Sequence, residues 1–391
     1  MPMQNSAHFD VVIVGGGLVG ASFAAALARS GLTLALVESQ PAPAPDPAWD
    51  SRIYAISPGS RRFLEQSGAW YLLDPQRIAA VEQMRVFGDT GAELRFSAYQ
   101  MGVAELACIL ENRALHSALW QVLARQDGLT LLHPARCKAL SVADAAATLT
   151  LEDGRGITAN LLVGADGRDS WVRQQAGLSA SPIDYGQHGV VANFSCTTPH
   201  RGIAHQWFRS DGILALLPLP GERVSMVWSV SPEQAALLCA LPHAGLCAQV
   251  AAASHQTLGE LAVITPAASF PLRSLTLPHI SAPRVALIGD AAHNMHPLAG
   301  QGVNTGFRDA QLLAQLIVEG CAQSDAGNAQ LLRRFDRKRR EDILSMQATT
   351  YGLKHLFNND NVLLRTLRNG GLSIVDHLTP LKKILMRHAL N

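Results

Sequence analysis

The feature that most restricts this chain is a glycine pattern near its start. Residues 10–14 form an apolar, β-branched run that stops abruptly at Gly15-Gly16-Gly17. Residues 18–29 are mostly small and apolar, Gly31 is placed to end a helix, and residues 32–37 form a second apolar run ending at Glu38. Strand, tight turn, helix and strand in so short a span open a βαβ unit. Gly15, Gly17 and Gly20 give it the G-x-G-x-x-G spacing. The first glycine permits the turn, the second lets a pyrophosphate approach the backbone, and the third lets the helix pack on the sheet. Free amides and the helix dipole then attract the anion, and Glu38 is placed to bond a ribose diol. The pattern predicts a dinucleotide site and does not choose between FAD and NAD.

Composition narrows the remaining classes. With 48% hydrophobic and 16% charged residues, the 391-residue chain has enough apolar surface to fold, and its length suggests two or three packed units. A net charge of +1 gives no electrostatic reason to expect nucleic acid. The six cysteines form no CxxC pair, which argues against a zinc site or a disulfide framework and suits a reducing cytosol. No signal peptide and no transmembrane helix are expected, so the chain is read as soluble or peripheral: cytoplasmic, or resting at the inner face of the cell membrane.

Texture changes along the chain. The proline-rich residues 41–47 read as an exposed, stiff connection, because proline lacks the amide donor. A helix over 111–125 and strands at 129–132, 148–151 and 161–165 follow. From about 183 to 270, short strands (190–195, 203–208, 213–217, 224–230) separated by Pro and Gly turns give antiparallel texture, with helical stretches in 232–254. A buried strand is expected again at 285–288, then a glycine-rich turn, a long helix over 302–319 and a mostly helical end.

Two further motifs fix the cofactor. Asp166-Gly167 ends the strand 161–165, with Arg168, Asp169 and Ser170 at a helix start. Gly289-Asp290-Ala291-Ala292-His293 ends the strand 285–288 and continues into His296-Pro297-Leu298-Ala299-Gly300-Gln301-Gly302-Val303-Asn304. An acid at a strand end can bond the polyhydroxyl chain of a flavin, and a following helix N-terminus can offer amides to an electron-rich pyrimidine edge. The three motifs, in this order, resemble the FAD-dependent aromatic hydroxylases of the para-hydroxybenzoate hydroxylase fold. Within that group the chain is most similar to the ubiquinone-biosynthesis hydroxylases, through residues 55–70 with Ser67-Gly68-Ala69-Trp70, the 296–302 loop, and the tail stretches 353–357 and 364–372. Tyr351-Gly352 departs from the Thr and Asp frequent there.

The resemblance implies an α/β fold: a Rossmann-like three-layer FAD domain (residues 1–75, 105–180 and 275–340), an inserted mixed-sheet substrate domain (76–104 and 181–274) and a helical C-terminal region (341–391). It implies that Gly15, Gly17, Gly20, Glu38, Arg113, Asp166, Gly167, Gly289, Asp290, Gly302, Val303 and Asn304 bind FAD, with Arg52 as another flavin-adjacent arginine. Pro297, Gly300 and Gln301 would position the flavin edge. Asp166-Gly167 is linked in the family to NAD(P)H as well, and no second G-x-G-x-x-G is present, which fits a transient reductant. The chemistry implied is NAD(P)H- and O2-dependent ring hydroxylation of a polyprenylated phenol through a flavin C4a-hydroperoxide. Two rivals stay open: hydroxylation of a small soluble aromatic, and a non-catalytic flavin-stabilised component of a quinone-synthesis assembly.

Several residues carry competing readings. His293 and His296 invite a role as base, but His293 reads as a structural histidine bonding loop backbone, and no base is assigned. Trp207, Phe208, Leu216, Pro218 and Trp228 suit either an apolar substrate chamber or ordinary sheet core. Residues 333–342, with six cations against three acids, read as a solvated helix face. Residues 351–391 carry six Lys/Arg against two acids with Leu and Ile interleaved, which suits a peripheral contact with the inner face of the cell membrane, a partner among other quinone-biosynthesis proteins, or packing on the chain itself.

Overall fold

The computed structural model describes residues 7–44, 46–88, 93–294, 302–320 and 325–357, the last helix with side chains to 344. Pro297, Gly300, Gln301 and His296 lie outside the described residues, as does the tail beyond 357.

The apolar run at the start forms the strand Ala7–Val14, at the middle of an eight-stranded sheet. It pairs in parallel with Leu34–Val37 on one side and Gly156–Gly164 on the other. Leu129–Leu132 and Val285–Leu287 extend the parallel set outward. Parallel strands covered on both faces read as continuous apolar runs. Accordingly Val11, Val12, Ile13, Leu36, Leu161 and Val163 have no or almost no exposure. The helices Leu18–Ala26, Asn112–Leu123 and Gly302–Gly320 pack in the same core. The three motif turns therefore leave the same end of one sheet, after residues 14, 164 and 287.

The second eight-stranded sheet takes Gln83–Phe87, Glu93–Ser97, Ser181–Cys196, Ile203–Arg209, Gly212–Leu219, Arg223–Val230, Leu261–Val263 and Ala268–Thr276. It is antiparallel except where Ile203–Arg209 pairs in parallel with Gln83–Phe87. Strand alternation sorts its side chains into two faces. Trp207, Leu216, Met226 and Trp228 pack against Ala235, Leu238, Leu246 and Val250 of the helices Pro232–Ala240 and His243–Ala253. Pro218 shares their parity. The chamber reading is therefore corrected for these residues: they are core on the sheet's outer side. Phe208 lies on the opposite face, in a small cluster with Val86 and Leu94.

That inner face meets the dinucleotide-binding side of the molecule. Ala204 and Leu219 pack with Ala79, Val81 and Ile109 of a three-stranded sheet made from Ile53–Ile56, Ala107–Glu111 and Ala79–Val81. Asn193 Nδ2 also donates to the Asp50 carbonyl at 2.8 Å. The helix Ala329–Phe357 runs on through residue 341 without a break.

Candidate flavin site

The glycine loop is shaped by close packing. A Cβ on Gly15 would lie 2.4 Å from the Ala165 carbonyl oxygen, and one on Gly20 would lie 2.0 Å from the Gly15 carbonyl oxygen. Gly15 also has φ of +105°, a conformation that side chains rarely adopt. At Gly17 none of the described residues stands within 4 Å of where a Cβ would be. Two glycines are thus needed by the protein itself, whereas the third faces open space where a ligand can reach the backbone. Gly17 caps Leu18–Ala26 without any side-chain hydrogen bond, so the amides of that first turn are left to an anion.

Two residues absent from the sequence expectations hold the loop from behind. His116 Nε2 and Trp120 Nε1 both lie 2.8 Å from the Gly16 carbonyl oxygen. They sit one turn apart on Asn112–Leu123, an i, i+4 spacing that places them on one face. Glu38 accepts from Gly16 N at 2.7 Å and from Gln40 N at 2.8 Å, so its carboxylate lies over the glycine loop. Arg113 begins the same helix; its guanidinium pairs with Asp46 and its amide donates to Asp50 Oδ2 at 3.1 Å. The proline-rich stretch is therefore more than a connection, since it delivers an acid to Arg113.

Asp166 serves the helix that follows it. Its Oδ1 accepts from Ser170 Oγ at 2.5 Å and its Oδ2 from Val172 N at 3.0 Å, fixing the start of Trp171–Gln175. Gly167, at φ +84°, has open space on its side-chain side.

The third turn is built differently. Gly289 is buried at φ +63°, and Asp290 beside it is exposed. Gly289 N donates to Asp309 Oδ2 at 2.8 Å, and His293 Nε2 lies 2.6 Å from the same oxygen. His293 is thus structural, but its partner is a carboxylate rather than loop backbone. Burial would raise the Asp309 carboxyl, yet the neighbouring charges of His293 and Arg339, with hydrogen bonds from His293 and Gly289, hold it below the ordinary carboxylate range. Arg339 Nε meets Asp309 Oδ1 at 2.5 Å. Arg339 is only 4% exposed, which corrects the solvated-face reading for this residue; Arg333, Arg334, Arg337, Lys338 and Arg340 are exposed as expected.

The first turn of Gly302–Gly320 joins the site to Ile53–Ile56. Asn304 Oδ1 accepts from Ser57 N at 2.9 Å, and its Nδ2 donates to the Ala55 carbonyl at 2.8 Å. Val303 is buried, and no described residue lies within 4 Å of where a Cβ on Gly302 would be. Just before Ile53–Ile56, Arg52 lies over the ring of Tyr54 at 5.5 Å. Burial pushes the Tyr54 hydroxyl up, Arg52 opposes this, and the charge of Asp290 adds to the rise. Tyr54 carried no motif that would have marked it.

Open space at Gly17, an uncapped helix start, Glu38 over the loop and an exposed Asp290 at a parallel strand end fit an elongated dinucleotide. The FAD binding domain family matches residues 8–348. The chain belongs to that family. Ubiquinone hydroxylase UbiL of Rhodospirillum rubrum is 37% identical over 97% of this chain and 89% of its own length. The 3-demethoxyubiquinol 3-hydroxylase of Escherichia coli is 34% identical over 97% of this chain and 98% of its own. The fold is that of p-nitrophenol 4-monooxygenase PnpA from Pseudomonas putida, with a TM-score of 0.80 at 17% identity over 99% of both chains. This flavoprotein is an FAD-dependent aromatic monooxygenase, with NAD(P)H as the reductant typical of the family. Among the described residues no helix is long and apolar enough to cross a membrane.

Proposed function

We propose that the enzyme hydroxylates the aromatic ring of a polyprenylated phenol on the route to ubiquinone. The observation that carries this is the end-to-end match to two ubiquinone-pathway hydroxylases, which spans both sheets. When bound, FAD supplies the redox chemistry that activates dioxygen. The protein's part is to bind, orient and exclude water. The Gly17 amide and the start of Leu18–Ala26 receive the pyrophosphate, with Arg113 nearby, and Glu38, already bonded to the Gly16 amide, takes the adenosine ribose. Gly15 and Gly20 shape the loop, and Asp166 with Gly167 fixes the neighbouring turn. Asp290 takes the ribityl chain from the Gly289 turn. Main-chain groups at Gly302, Val303 and Asn304 face the pyrimidine edge, where the helix N-terminus favours negative charge. Arg52 and Tyr54 border the site, and Pro297, Gly300 and Gln301 are assigned to the flavin edge. The ring is held under the inner face of the second sheet.

A prenylated substrate resides in lipid, and the charge distribution supports a peripheral contact there. Residues 333–391 carry twelve Lys/Arg and five Asp/Glu, in a chain whose totals are 32 and 31. The exposed Arg333, Arg337 and Arg340 share one face of Ala329–Phe357 with the exposed Leu344. Such a face suits an anionic bilayer surface. Quinone-pathway lipids from cells lacking the protein provide the test. Accumulation of a prenylphenol short of one ring oxygen is expected; an unchanged profile, with no second enzyme covering the step, would redirect the assignment to small soluble phenols.

A further inference from the structure

The C-terminal helix reaches the flavin site through one buried cation. On Ala329–Phe357, the buried residues Leu332, Phe335, Arg339 and Ile343 recur every three or four positions. Arg339 therefore takes a core position in an otherwise apolar stripe. A guanidinium is costly there unless its charge and donors are met. Its Nε meets Asp309 Oδ1 at 2.5 Å, one terminal nitrogen meets Asp342 Oδ2 at 2.5 Å, and the other donates to the Thr305 carbonyl at 3.4 Å. Through Asp309 the contact continues to Gly289 N and His293.

One side chain thus ties together two separate stretches: the Gly289–Asp290 turn and the first turn of Gly302–Gly320. Both are stretches that the proposed function sets against the flavin, and the inference rests on that placement. We infer that Arg339 is a positioning residue for FAD. It touches no reacting atom. It fixes the carboxylate of Asp309, which in turn holds the amide of a glycine at positive φ immediately before Asp290. A planar fork is required, because three acceptors on two elements must be met at once. Lysine keeps the charge but presents no such fork.

The test compares purified holoenzymes: wild type, Arg339→Lys, Phe335→Leu and Asp290→Ala. The FAD dissociation constant is read from flavin fluorescence on dilution, alongside the melting temperature and the shape of the oxidised-flavin absorption band. Arg339→Lys is expected to weaken FAD binding by about tenfold or more, the loss typical of a charge-assisted hydrogen bond, and to alter the band. Phe335→Leu removes packing from the same stripe and should lower the melting temperature while leaving the dissociation constant within about twofold. An Arg339→Lys enzyme with wild-type affinity would overturn the inference. So would a Phe335→Leu enzyme that loses as much affinity for the same loss in melting temperature, since the helix would then act only through general stability. Should Asp290→Ala alone leave FAD binding unchanged, the flavin placement fails, and the inference with it. If Arg339→Lys does not fold, the paired change Asp309→Asn with Arg339→Gln removes both charges and keeps polar groups in place. It should weaken FAD to the same degree, and wild-type affinity in that protein would again overturn the inference.

Discussion

The glycine loop after Ala7–Val14 and the Gly289–Asp290 turn leave parallel strands of one sheet, yet they are held by opposite means. The first is held by contact. Gly20 and Gly15 press on neighbouring backbone, and Glu38, His116 and Trp120, each touching Gly16 directly, take up its polar groups. The second is held by charge from a distance, through Asp309 on one helix and Arg339 on another. A turn of the first kind is broken by adding an atom, and one of the second kind by removing a charge far along the chain.

The largest effect should come from breaking the charge. Asp309→Asn removes the buried carboxylate of Arg339, leaving it only the partly exposed Asp342, and is expected to cost about 3 kcal/mol in a melt or denaturant titration. The same variant should change the acid response. Because Asp309 is held below its ordinary value in the folded protein, its contribution is present above the unfolded carboxylate range and is lost as pH falls through the folded value. The wild type should therefore lose stability more steeply below about pH 4 than Asp309→Asn. Equal acid slopes would remove the charge-held account of this turn.

Breaking contact comes next. A Cβ on Gly20 meets backbone at 2.0 Å, so Gly20→Ala should cost about 2–3 kcal/mol whether or not FAD is present. Gly17→Ala sharpens the contrast, since its side chain enters open space. Its apoprotein stability should shift by less than about 0.5 kcal/mol while FAD binding weakens about tenfold or more. If Gly17→Ala binds FAD normally, the pyrophosphate does not approach there.

The smallest effect on the fold belongs to the outer face of the C-terminal helix. Replacing Arg333, Arg337 and Arg340 together with Gln should alter stability by no more than about 0.5 kcal/mol. Binding to anionic vesicles in a flotation assay should fall by about 1 kcal/mol for each cation lost from the surface. Unchanged flotation would show that this face does not meet lipid.

The same contrast explains what could be read in advance. The glycine loop, the strands around it and the acid at Glu38 are legible because their pattern is complete within one βαβ unit, whereas His116 and Trp120, about a hundred residues on, carry no motif of their own. The Asp309–Arg339 pair joins residues on two helices, and no local pattern announces a partner so remote. The exposed cations around Arg339 made the run look uniformly solvated. The available signal was position: residue 339 falls in register with Leu332, Phe335 and Ile343, where a cation must have a buried partner. Trp207, Leu216 and Trp228 show a related gap. Alternation tells which residues share a face, but only the packing of Pro232–Ala240 and His243–Ala253 tells which face looks away from the flavin domain.

The most direct test of the enzyme's proposed role is turnover of the purified holoenzyme with a polyprenylated phenol, NAD(P)H and oxygen-18-labelled dioxygen, followed by mass spectrometry of the lipid. Ring hydroxylation predicts one labelled oxygen atom in the product for each reductant consumed. Reductant consumption that yields only hydrogen peroxide, with the phenol unlabelled and its addition leaving the rate unchanged, would contradict it.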